Sequence, residues 1–143
     1  MNQDTAKLLH ETDMGLQMAM YSFDQLLERV KDPQMKQVIT ESRNEHKTLE
    51  RETKDMMESC GVSEGEPGCM AKVMAWTETN MKMSMEDSDR AIAGVIVDGC
   101  NSGSKKLSKY INRYSEADPD VSELAKKLIT IEDGLEDNLR NYL

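Results

Sequence analysis

Two points in this chain, Asp32-Pro33 and Asp118-Pro119, each read as a helix start, with an acid to accept from orphan amides and a proline at the first helical position. Counted from these points, the downstream stripes superimpose. Met35, Ile39, Ser42, His46, Leu49, Thr53 and Met56 fall in step with Val121, Ala125, Leu128, Glu132, Leu135, Leu139 and Tyr142. The steps alternate between three and four, the period of one buried helical face. An imidazole and a carboxylate occupy the same step of the same stripe. The register argues for a duplicated helical hairpin with a polar centre, and so for an all-α fold.

The rest of the composition agrees. At 143 residues the chain is expected to be a single domain over 1–143, long enough to bury roughly 68–70% of its unfolded surface. Three prolines and eight glycines, with abundant Leu, Lys, Glu and Met, favour helix over sheet. No apolar run approaches the ~18 residues of a membrane span, and the N-terminal residues show no secretory pattern. The expected location is the cytoplasm, with no membrane partner. A formal net charge of −9 argues against a nucleic-acid partner, because phosphate contact needs a basic patch. The cluster Lys105, Lys106, Lys109 and Arg113 reads as a solvated helix face. Cys60, Cys69 and Cys100 do not form a disulfide framework; a Cys60–Cys69 bridge is one option, and reduced thiols are preferred.

The first helix is expected from about Thr5 to Lys31, with Ala6, Leu9, Asp13, Leu16, Met20, Phe23, Leu27 and Val30 on its inner stripe. The second ends near Cys60-Gly61, where glycine suits the left-handed position after the last turn. Residues 61–68 read as a loop, followed by a Met-rich stretch from Met70 to Met85 with helical spacing. Glu86-Asp87-Ser88-Asp89 reads as an interruption and a new helix start. The third long helix then runs to about Tyr114, with Ile92, Ala93, Ile96, Cys100, Gly103, Leu107, Tyr110 and Tyr114 inward, and the fourth runs from Asp118-Pro119 to Leu143. Helices of this length span roughly 36–40 Å, and the helical part of the connector alone covers roughly 24 Å. That length favours a long, partly helical crossover between two antiparallel hairpins over a simple up-down-up-down bundle.

Gly15-Leu16 through Leu26-Leu27, Lys31-Asp32-Pro33, Asn44-Glu45-His46, and Asp98-Gly99 followed by Tyr110 together resemble the ferritin-like superfamily. Within it the chain is similar to the small rubrerythrin-related and uncharacterised four-helix-bundle groups. The resemblance covers essentially the whole chain and implies a ferritin-like bundle. In di-iron members, one Glu from each of two helices joins a Glu-x-x-His from each of the other two, because hard iron ions take bridging carboxylates. This chain departs from that pattern. Arg43 stands three residues before His46, Leu135 stands three after Glu132, and the third helix offers Cys100 and Gly103 at its centre. The first helix offers Leu16 and Met20 there, with Asp13 about a turn away. A standard di-iron set is therefore not expected.

His46 and Glu132 are expected to face each other as a structural pair, with Ser42, Tyr110 or a water completing the set. The rival reading makes them, with Asp13, an atypical site for iron or another transition metal. The small-residue run from Gly99 to Ser104 reads as close helix approach or room for Trp76 or Met20, the alternative being a cavity for a ligand or second chain; Gly103→Leu would then overpack the core. Met81, Met83 and Met85 match copper(I) thioether spacing only in an extended segment, so core filling or an adaptable interface is preferred among the twelve methionines. No catalytic constellation is visible. The expected role is that of a non-enzymatic structural or partner-binding module, as a homodimer or with another protein, and without a resident cofactor.

Overall fold

The computed structural model describes residues 2–63, 71, 75 and 88–143. The Met-rich stretch with Met81, Met83 and Met85, Trp76, Cys69 and the Glu86-Asp87 interruption lie outside them. Among the described residues there are four long α-helices and no strand: α1 (Gln3–Leu26), α2 (Pro33–Ser59), α3 (Asp89–Arg113) and α4 (Pro119–Leu139). The chain forms an all-α bundle, and no helix among the described residues is long and apolar enough to cross a membrane.

Local chemistry sets the helix ends. Asn2 caps α1 by accepting from Thr5 N. The α-helix stops at Leu26, earlier than expected, and tightens into a 3-10 turn over Leu27–Arg29. Nearer the second helix, the residue before a proline is kept out of the helical region, and Asp32 is extended (φ −69°, ψ 121°). Its side chain then accepts from Met35 N at 2.8 Å. At the far end of α2, Gly61 takes φ +70° while Val62 N donates to Met57 O at 2.8 Å, closing the helix with a left-handed residue. Ser88 caps α3. Asp118, in contrast to Asp32, makes no side-chain cap.

Around the bundle α1 packs against α2 and α3, and α4 packs against α2 and α3. Helices α1 and α4 also meet across the diagonal, where a Cβ built on Gly15 would lie 3.4 Å from Leu128 Cδ2. The directions follow from hydrogen bonds at the ends. Asp89, opening α3, accepts from Lys31 N at 2.8 Å and Asp32 N at 2.9 Å, so α3 starts where α2 starts. Helices α2 and α3 therefore run the same way. At the opposite end, Asn2 Nδ2 donates to Glu116 O (2.6 Å), Glu116 N to Asp4 Oδ2 (3.1 Å) and Asp118 N to Thr5 Oγ1 (3.0 Å).

The core has two apolar clusters. Leu8, Leu9, Leu16, Leu49, Val121 and Leu128 belong to one; Phe23, Leu26, Met35, Ile39, Ile96 and Leu139 belong to the other. His46 on α2 and Glu132 on α4 fall between them. The stripes expected on α2 and α4 are buried nearly as read, except that Met57 replaces Met56 and Leu124 joins. On α1 the stripe is rotated: Thr5, Leu8 and Thr12 are buried, Ala6 and Met20 only partly, and Leu26 takes the place assigned to Leu27.

Asp89 is held below the ordinary aspartate value of 3.8, chiefly by the Lys31 backbone N–H, helped by the Asp32 N–H and the Lys31 charge, while partial burial opposes. Its stabilisation is full above that ordinary value and is lost as pH falls through the lower folded value. Asp89→Ala is expected to cost about 1 kcal/mol at neutral pH, roughly 3 °C in Tm. Melts of the wild type and the variant from pH 7 to pH 2 check this: the gap should close at the acid end.

Candidate functional site

His46 is fully buried at the middle of α2. Its Nδ1 lies 2.7 Å from Ser42 O one turn back, and the Ser42 hydroxyl is at 3.4 Å. A carbonyl oxygen only accepts, so Nδ1 carries a proton. Nε2 lies 3.0 Å from Glu132 Oε1, a contact between residues 86 positions apart. That bond needs one proton between its atoms, borne either by the imidazole or by the carboxyl. In both arrangements the pair is neutral overall. The Phe23 ring meets the imidazole edge-on, with centroids 5.0 Å apart and planes at 75°.

Cys100 of α3 lines the same cavity as Glu132. Its thiol is pushed far up, first by burial, then by the Glu132 charge and a hydrogen bond to Glu132, with Glu136 and Asp133 adding. The order of groups is thiol, carboxylate, imidazole. In a cysteine nucleophile the base must touch the thiol and the carboxylate must stand behind the base. Here the carboxylate separates them and opposes ionisation, so Cys100 is a weak nucleophile.

A cavity of about 330 Å³ lies between α1 and α3 and reaches this centre. Its inner wall carries Cys100 and Glu132, its sides are apolar, and Glu11, Lys106 and Tyr110 stand toward the surface. The Tyr110 hydroxyl is raised by desolvation and then by the charge of Glu11. Small residues on α3 leave the room: a Cβ on Gly103 meets no atom of the described residues within 4 Å. Gly103 thus lines the cavity, and among the described residues no tight contact stands at its Cβ position.

The structure brings His46 and Glu132 together, as the shared register implies. Asp13 is buried, with Oδ2 accepting from Gln17 Nε2 at 2.8 Å. It lies well away along α1, about 15 Å of helix rise before Phe23, the residue of that helix against His46. Among the described residues no three His, Cys, Asp or Glu side chains are grouped as a metal would need. Ser42 joins the pair through its carbonyl, whereas Tyr110 makes no hydrogen bond with it. Cys100 and Phe23 complete the centre and were not anticipated as partners; the only signal was their place on the inner stripes of α3 and α1. Cys60 and Cys100 are free thiols.

Comparisons with protein-family models, with curated proteins and with solved structures return no match for this chain.

His46→Ala strands Glu132 in the core and is expected to cost about 3–5 kcal/mol, whereas the apolar double variant His46→Leu/Glu132→Met should recover most of that loss. Denaturant titration of the two proteins measures the difference. Gly103→Ala is expected to stabilise by about 0.8–1.0 kcal/mol, the helix preference of alanine over glycine with no steric penalty, readable in the same titrations.

Proposed function

We propose that the chain is a ferritin-like bundle of two duplicated antiparallel hairpins joined by a long crossover, and that it works as a non-catalytic binding module. Three features support the arrangement. The inner stripes of α2 and α4 repeat at 86 residues, the spacing of the His46–Glu132 bond. Each hairpin turn is pinned by polar side chains from the start of the other hairpin, Asp89 at one end, Asp4 and Thr5 at the other. The parallel course of α2 and α3 is the one a crossover along the bundle produces.

The observation that carries the binding role is the cavity between α1 and α3. It is largely apolar, about 330 Å³, at the small end of ligand sites, and its inner wall meets the buried polar centre. His46 and Glu132 satisfy each other and leave no poised acid, base or nucleophile, which is why the reading is binding and not turnover. In this reading the pair is structural, and no resident iron, manganese, zinc or copper is required.

Saturation-transfer NMR with benzene tests the proposal on the full chain. Transfer from the wild type is expected, and Gly103→Leu should abolish it in a protein that still melts cooperatively. A wild type that transfers nothing to benzene or to phenol would sink the binding role.

A further inference from the structure

The chemistry of the cavity wall narrows what can occupy it. We infer that the cavity between α1 and α3 is a site for a small neutral aromatic compound carrying one hydrogen-bond donor, of the phenol class, with Glu132 accepting from that donor. The inference deepens the binding role proposed above and rests on it.

Charge is the first constraint. The His46–Glu132 bond holds one proton, so the pair at the inner wall is neutral. The other ionisable side chains lining the cavity with fixed charge are Glu11 and Lys106, one of each sign. A cation or anion taken into this space would lose its hydration without gaining an uncompensated counter-charge, so a neutral molecule is favoured.

The hydrogen-bond inventory is the second. A carboxyl group offers several lone-pair positions. His46 takes one on Oε1, and acceptor capacity remains at the cavity wall that Glu132 lines. That wall therefore calls for a donor from the ligand. A ligand without one would cover polar atoms and give nothing back.

Shape and surface are the third. About 330 Å³ holds a single ring with small substituents. Met14, Met18 and Phe23 line the space, and thioethers and ring edges make favourable contacts with an aromatic face.

Titration of the full-length wild type with phenol, toluene, benzoate and benzylammonium, read by protein NMR shifts, tests the assignment. Phenol and toluene have the same shape and differ by the donor. Phenol is expected to bind about tenfold more tightly than toluene, and both charged analogues more weakly than phenol. In His46→Leu/Glu132→Met, whose inner wall is apolar, the phenol advantage should vanish while toluene still binds. Equal binding of phenol and toluene to the wild type, tighter binding of either ion, or a phenol preference that survives in the double variant would overturn the ligand class and leave the cavity as a binding site. Failure of both benzene and phenol to bind would overturn the binding role itself.

Discussion

The hydrogen bond between His46 Nε2 and Glu132 Oε1 joins two helices that are not consecutive in the chain, and the remaining packing is arranged on either side of it. Nδ1 is committed to the Ser42 carbonyl, so the imidazole cannot turn away, and the single proton in the 3.0 Å bond keeps the pair neutral. Sliding α4 by one turn against α2 would leave an imidazole and a carboxyl facing hydrocarbon, a loss of several kcal/mol. The apolar clusters above and below are made of Leu, Ile and Met side chains that tolerate many registers. The polar layer between them tolerates one. It is the helical counterpart of a buried polar residue that sets alignment in a coiled coil.

The same logic operates at the ends. The backbone amides of the first turn, Lys31 and Asp32, are satisfied by Asp89 from the second hairpin, and the second turn finds its partners in Asn2, Asp4 and Thr5 of the first. Exposed turns usually satisfy such groups with water. Here side chains at the helix starts Asp89 and Asn2–Thr5 satisfy the two turns instead, which holds the helices in one relative orientation. Polar contacts at the middle and at both ends leave little freedom to the long helices between them.

Within that frame, the small residues of α3 have a consequence beyond close packing. Gly103 faces space, and Cys100 and Glu132 form the inner wall of a cavity whose sides are apolar. The polar centre thus serves two purposes: it aligns α2 with α4, and it presents acceptor oxygen to a space that hydrocarbon otherwise surrounds. With the carboxylate lying between thiol and imidazole, the arrangement is suited to recognition and poorly suited to nucleophilic attack.

The heptad-like stripes of α2 and α4, the Asp32-Pro33 start, the Gly61 stop and the facing of His46 and Glu132 were all legible in the sequence, because each rests on local geometry and on a period of 3.6 residues. The inner face of α1 was not. Thr5 and Thr12 look polar in sequence yet lie in the core, where the Thr12 hydroxyl donates to Leu8 O within its own helix. Residue type alone does not reveal that a hydroxyl has been satisfied locally. Nor could periodicity tell that Cys100 shares Glu132 with His46, or that Gly103 opens onto a cavity, since both depend on how far α3 stands from α1 and α4. The sequence by itself determined that the chain is helical, where most helices begin and end, and which imidazole meets which carboxyl. Only the tertiary structure decided what lies beside that pair and what space remains there, because packing distances between helices are set by side chains from all four at once.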